Sequence, residues 1–212
     1  MGLMKKVFGN TRKPDGWLGK MMARSMNSGG HAKMADWGMS HLDPNAAGNA
    51  AVRAVCDFGC GGGRNVSVLL EKFPQAAVKG FDYSEVSVAT ARKHNAKMIK
   101  AGRCEILQGD VSNITLPAES LDLATAFETV YFWPGLTHCF GQVAGTLRPG
   151  GRFLIVNEAD GEDGSNDKWE KIIDMKTYTR AQLKESLLAA GFSEVSTYHH
   201  PEKPWIAVLA VK

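Results

Sequence analysis

The chain of 212 residues has no uninterrupted apolar run of 18 residues, so no segment reads as a membrane-spanning helix. Its first residues, MGLMKKVFGNTRKPDG, lack the apolar stretch of a signal peptide, and Lys6 stands where an N-myristoylation motif needs Ser or Thr. A soluble, cytoplasmic protein is therefore expected. The four cysteines (Cys56, Cys60, Cys104 and Cys139) form no CxxC pair and have no zinc-finger-like histidine cluster beside them. That excludes the usual structural zinc patterns and favours reduced thiols. Internal repeats and low-complexity tracts are missing as well. Charge of one sign is scarce: 25 Lys/Arg oppose 22 Asp/Glu, and a net +3 is too mild to indicate nucleic acid. The excess is local, because residues 1–43 carry seven Lys/Arg against three Asp. This basic arm is either a solvated terminus or a docking surface for an anionic partner.

What is present is an ordinary globular composition, 44% hydrophobic and 22% charged, in a length that suits one domain with a sizeable core. Residues 1–16 show no periodicity. Leu18, Met21, Met22 and Met26 suit one short amphipathic helix, Ser28-Gly29-Gly30 breaks it, and a second helix fits around residues 31–40. A loop follows at 43–49. From residue 50 strands and helices alternate. Strands are predicted at 51–58, 77–83, 104–110, 121–129 and 151–158, with helices at 65–73, 84–101, 137–147 and 179–190 between and after them. The last two strands, EVSTYHH and WIAVLAVK, lack a helix-length spacer and are expected to pair as an antiparallel hairpin. The chain thus divides into an N-terminal arm, 1–49, and a core, 50–212, within one structural domain. The expected fold is α/β, a Rossmann-like three-layer sandwich with a mostly parallel seven-stranded sheet. In such sheets ligands lie beyond the carboxyl ends of the strands.

Asp57-Phe58-Gly59-Cys60-Gly61-Gly62-Gly63-Arg64 stands at the first of those ends. Glycines there let the backbone turn sharply and approach a ligand, and the following helix offers free N–H groups. The dinucleotide fingerprint G-x-G-x-x-G counted from Gly59 needs Gly at position 64, which is Arg, and counted from Gly61 it meets Val66. The pattern present is D-x-G-x-G-x-G. It resembles the first motif of class I S-adenosylmethionine-dependent methyltransferases, and among them the type 11 small-molecule enzymes. The resemblance covers roughly residues 50–212: Asp82 ends the second strand, Gly109-Asp110-Val111 follows the third, Glu128-Thr129 the fourth, and Leu147-Arg148-Pro149-Gly150-Gly151 leads into the fifth.

The resemblance implies S-adenosylmethionine as cofactor and S-adenosylhomocysteine as product. It implies the turn at Gly59, Gly61 and Gly63 around the cofactor, with Asp82 on its ribose hydroxyls and Tyr83 against the adenine. Asp110 and Val111 would lie beside the adenine amino group, and Glu128 near the methionine end. Asp57 either caps the turn or stands near the cofactor's amino group. Residues before the first strand would form a lid, or simply cover one edge of the sheet.

The acceptor end is less legible. Residues 127–134, FETVYFWP, contain neither [D/N/S]-P-P-Y nor Pro-Cys, so the usual patterns for methylating amino groups of bases or glutamine, or pyrimidine C5, are missing. Tyr131, Phe132 and Trp133 are candidate walls of an acceptor pocket. Tyr131, Glu128 and His31 are the candidate catalytic residues, with His41 a further base and Glu158 a further holder of an amine or hydroxyl. No metal is expected: Glu158, Asp160, Glu162, Asp163 and Asp167 look like a solvated loop, and Glu128 and Glu158 have no evident third partner. A small-molecule acceptor is expected, with no membrane or nucleic-acid partner. RNA or protein methylation through the basic arm, and a non-catalytic cofactor-binding protein, remain the alternatives.

Overall fold

The computed structural model describes residues 30–43, 52–162, 170 and 175–212. Helix α1 (Gly30–Met39) precedes β1 (Ala54–Phe58), α2 (Arg64–Lys72), β2 (Ala77–Asp82), α3 (Glu85–His94), α4 (Ala96–Lys100) and β3 (Cys104–Gln108). Then come β4 (Leu121–Phe127), α5 (Leu136–Thr146), β5 (Leu147–Asn157), α6 (Arg180–Ala189), β6 (Glu194–His199) and β7 (Ile206–Val211). Short 3₁₀ turns at Val111–Asn113 and Val130–Phe132 sit at the ends of β3 and β4. The expected first helix, with Met21, Met22 and Met26, and most of the 43–49 loop lie outside the described residues.

The strands form one sheet in the order β3-β2-β1-β4-β5-β7-β6. All neighbours are parallel except β7, which runs antiparallel to both β5 and β6. The central strands β1, β4, β5 and β7 are largely apolar runs because both their faces are covered, whereas the edge strand β6 is mostly exposed. On one face Val55, Val78, Leu123, Leu154 and Val156 meet Met34, Val66, Leu69, Val88 and Ala91 of α1, α2 and α3. On the other, Cys56, Ala124, Phe153, Ile155 and Val208 meet Phe140, Val143, Leu183 and Leu187 of α5 and α6. The order reverses direction between β1 and β4, and that switch point opens a crevice at their carboxyl ends.

Helix α1 packs into the first of these clusters. Met34, Met39 and Leu42 are buried there, each contributing about 1.5–3 kcal/mol of burial. The crossing over β5 is close: a Cβ on Gly38 would meet Val156 Cγ2 at 2.3 Å.

Beyond shifts of one to three residues at other element ends, two differences from the sequence expectation are larger. The single helix expected over 84–101 is two, because Asn95 turns its side chain back to donate to the carbonyls of Gly63 (2.9 Å) and Ala91 (3.1 Å). Ser84 caps the first of them, accepting from the Ser87 N–H. Strand β5 begins at Leu147 rather than 151, because Leu147 pairs with Leu121 of β4 while Gly150 and Gly151 bond to Lys212 at the end of the chain. The C-terminal hairpin forms as expected, and α6 starts with a full capping box between Thr179 and Gln182. All four cysteines are free and buried. Among the described residues no helix is long and apolar enough to cross a membrane.

Candidate active site

The turn after β1 is built on three left-handed glycines: Gly59 (φ 76), Gly61 (φ 52) and Gly63 (φ 82). Two of them exclude a side chain by close contact and one does not. A Cβ on Gly59 would lie 2.1 Å from Thr129 Oγ1, and one on Gly63 would lie 2.8 Å from Ala91 Cα in α3. A Cβ on Gly61 would meet nothing within 4 Å, because that glycine borders an open cleft. The cleft encloses about 420 Å³ of empty space, its mouth included, and is bordered by the Gly59–Gly62 backbone, Arg64, Phe127, Glu128 and, from α1, His31 and Met34.

Asp82 is buried at the end of β2. Its Oδ2 accepts the Gly61 N–H and its Oδ1 the Ser84 N–H, both at 2.9 Å. Burial pushes its carboxyl above the usual carboxylate range, and these two hydrogen bonds pull it back. The acid therefore braces the glycine turn while each oxygen keeps a further lone pair. Asp57 lies deeper, 1% exposed in β1, with Thr125 Oγ1 donating to its Oδ1 at 2.7 Å. Burial raises it to about 7, the Thr125 bond opposes the rise, and the charge of Asp82 adds to it. Asp57 does not cap the next helix, since Gly63 occupies that position.

Tyr83 is 37% exposed at the rim beyond β2. Asp110 is exposed and folds its Oδ1 onto Ser112, accepting from that residue's N–H (2.8 Å) and hydroxyl (2.7 Å), with Val111 half-buried in the same turn.

Glu128 also has an unusual backbone, with φ 57 in a residue that is not glycine, a conformation that Glu119 (φ 49) in the turn before β4 shares. Such a conformation costs on the order of 1–3 kcal/mol and persists only where the surroundings impose it. Here the Glu128 N–H donates to Val156 O (2.9 Å), and its Oε1 accepts from the Tyr131 hydroxyl (3.0 Å) and from the Glu158 N–H. The Ala159 N–H donates to the Tyr131 oxygen at 3.2 Å. Burial pushes the Glu128 carboxyl up to about 8, Glu158 adds to the rise, and the two hydrogen bonds oppose it. Burial likewise holds the Tyr131 phenol well above its ordinary value.

The structure thus brings Gly59, Gly61, Glu128 and His31 to one cleft, with Tyr131 directly behind Glu128. It separates other candidates. Trp133 is a core residue, stacked on Phe153 at 6.2 Å and edge-on to Phe140 at 5.9 Å, with its indole N–H on Thr129 Oγ1. It walls no pocket. His41 stacks on Tyr198 at 3.9 Å, within an aromatic group that includes Trp37.

Two contacts had no signal in the sequence. Arg64, the residue that breaks the dinucleotide spacing, reaches Asp36 of α1 at 2.7 Å and ties the turn to that helix. His31 approaches Glu158 and Glu128 at 3.7 and 3.9 Å, a meeting of three distant segments that no spacing rule supplies.

With this fold and this cleft, residues 55–151 match the family model described as a methyltransferase domain. Over those residues the chain is similar to the class I S-adenosylmethionine-dependent methyltransferases. It is similar to trans-aconitate 2-methyltransferase of Acidovorax sp. (strain JS42), 30% identical over 63% of this chain and 48% of that one. It is also similar to the uncharacterized methyltransferase YdaC of Bacillus subtilis (strain 168), 25% identical over 74% of this chain and 81% of the relative. Among solved structures, an S-adenosylmethionine-dependent methyltransferase from Aquifex aeolicus shares the fold, with TM-score 0.73 at 15% identity over 91% of this chain and 97% of the other. The chain spans about half the length of the trans-aconitate enzymes that it matches.

Proposed function

We propose that the chain transfers a methyl group from S-adenosylmethionine to an O, N or S atom of a small-molecule acceptor. The carrying observation is the cleft itself: at the β1–β4 switch point a side-chain-free Gly61 borders open space, braced by a buried Asp82. These residues fit the cofactor. Gly59, Gly61 and Gly63 would let the backbone lie against it, and Asp82 would accept its ribose hydroxyl hydrogens. Tyr83, Asp110 and Val111 would flank the adenine, Asp57 would stand behind the amino group, and Glu128 at the methionine end. The cofactor supplies an electrophilic methyl carbon and leaves as S-adenosylhomocysteine.

The chain's own contribution is positioning and exclusion of water. Glu128, held by Tyr131, presents Oε2 to the cleft opposite His31. The three groups would orient an acceptor O–H or N–H and receive its proton where one must leave. Helix α1 closes one side of the cleft through His31 and Met34, which supports a covering role for this helix over the cleft. A relative named for a small acid, trans-aconitate, supports a metabolite as acceptor. Four free buried cysteines fit a reducing, cytoplasmic setting.

Calorimetric titration tests the cofactor assignment. S-adenosylmethionine and S-adenosylhomocysteine are expected to bind and NADH not to. Asp82→Ala is expected to weaken both adenosyl ligands by about 1–3 kcal/mol, the worth of charge-assisted hydrogen bonds. If the wild type binds neither adenosyl ligand, the proposal fails.

A further inference from the structure

The geometry points to a divalent-cation site formed by His31 Nδ1, Glu128 Oε2 and Glu158 Oε2, at the place where α1 meets the ends of β4 and β5. The three ligand atoms lie within 4.8 Å of one another. His31 Nδ1 is 3.7 Å from Glu158 Oε2 and 3.9 Å from Glu128 Oε2. A cation bonded at about 2.0–2.2 Å to imidazole nitrogen and carboxylate oxygen sets neighbouring ligand atoms about 3.0–3.5 Å apart. The two histidine distances need to close by roughly half an ångström and the carboxylate pair, within 4.8 Å, by up to about 1.3–1.8 Å, both within reach of side-chain rotation.

Three features make this more than a chance meeting of acids. First, among the described residues His31 Nδ1 has no hydrogen-bond partner although it faces two carboxylates, and that atom is shielded from solvent while the side chain as a whole is 44% exposed. A buried ring nitrogen in that position is missing a proton acceptor or a metal. Second, Glu128 is aimed. Its Oε1 is occupied by the Tyr131 hydroxyl and the Glu158 N–H, which leaves Oε2 towards His31. Outer hydrogen bonds of this kind orient metal ligands. Third, the charges balance once a cation displaces the Glu128 proton, since two carboxylates and an imidazole bound through its free nitrogen then sum to −2, which one divalent ion cancels. One nitrogen and two carboxylate oxygens suit Mn²⁺, Fe²⁺, Co²⁺ or Zn²⁺ better than Ca²⁺ or Mg²⁺, which prefer all-oxygen shells. Because His31 and Glu128 also border the cleft, the ion would sit beside the acceptor and pin α1 over it. The inference shares its cleft with the methyl-transfer proposal, but cation binding requires no cofactor.

The test is titration of the full chain with MnCl₂, followed by electron paramagnetic resonance, after removal of metals with a chelator. One Mn²⁺ per chain is expected, with electron spin-echo modulation from a directly bound nitrogen. Glu158→Gln, at a half-exposed side chain that can change without disturbing the core, is expected to weaken binding at least tenfold. His31→Ala is expected to abolish the nitrogen modulation, and Glu105→Gln, at an exposed acid paired with Lys79 on the far strands, to change neither. Absence of a stoichiometric site below millimolar Mn²⁺, or binding without nitrogen modulation, overturns the inference. S-adenosylhomocysteine titrated into the same metal-free protein separates the two proposals. Retained binding of it with no cation site defeats only this one, and a cation site without it defeats only the methyl-transfer proposal.

Discussion

Gly59→Ala is expected to lower the melting temperature by about 10 °C, whereas Gly61→Ala leaves it within a few degrees and instead abolishes cofactor binding. Both positions are left-handed, so each alanine costs about 1–2 kcal/mol of backbone strain. They differ in surroundings. At position 59 the new Cβ falls 2.1 Å from Thr129 Oγ1 and 2.7 Å from its Cβ, and a short β-branched side chain cannot swing clear. Displacing it also disturbs the acceptor of the Trp133 indole N–H, in a core where Trp133 packs on Phe140 and Phe153. Overpacking adds about 1–3 kcal/mol, and for a domain of this size each kcal/mol lowers the melting temperature by about 2–4 °C. At position 61 nothing stands within 4 Å, so the fold tolerates the methyl group, which then occupies the space beside the cleft. Differential scanning calorimetry and titration with S-adenosylhomocysteine read the two effects separately. Equal melting of Gly59→Ala and wild type would contradict the packing described for Thr129.

Asp57 is expected to impose a pH slope on stability that Asp57→Asn removes. Its carboxyl is raised from 3.8 to about 7 in the folded protein, chiefly by burial. Between those values the folded state holds a proton that the unfolded chain has released. With more protons bound in the folded state, stability falls as pH rises, and the fall stops above pH 7. Asparagine does not titrate. The stability of Asp57→Asn relative to wild type is therefore expected to improve by about 2–3 kcal/mol between pH 5 and pH 8, since one proton held over one pH step is worth about 1.4 kcal/mol. Comparing the two pH values cancels any constant change in hydrogen bonding to Thr125. Urea denaturation at pH 5, 6, 7 and 8 measures it, and parallel pH profiles for the two proteins would show that Asp57 is ionised in the fold. In the proposed function Asp57 stands behind the cofactor's amino group, so the same substitution is expected to weaken S-adenosylmethionine while removing the loss of stability between pH 5 and pH 8.

Local and short-range features were legible in the sequence. Alternating apolar strands and amphipathic helices, with Pro74, Gly102 and Gly191 at stops, give the α/β order because periodicity and turn chemistry act over a few residues. The missing crossover between the last two strands dictates an antiparallel hairpin, and the sheet contains one. The D-x-G-x-G-x-G spacing was enough to set the turn apart from a dinucleotide loop, since spacing is a property of the chain alone.

Only the tertiary structure decided which side chains meet. Trp133 belongs to the core and not to the cleft at Gly61, with the 3₁₀ turn at Val130–Phe132 placing it on Phe153 and Tyr131 on Glu128. The helix over 84–101 breaks at Asn95 because its amide finds the Gly63 carbonyl across 32 positions of sequence, a partner that no local propensity contains. His31, Glu128 and Glu158 come from the start of α1 and the ends of two neighbouring strands, 97 and 30 positions apart in the chain. Long-range contacts of this kind follow from which strands are adjacent and how α1 crosses β5. Sheet order and crossing angle minimise the energy of the whole core, so no segment of the sequence specifies them by itself.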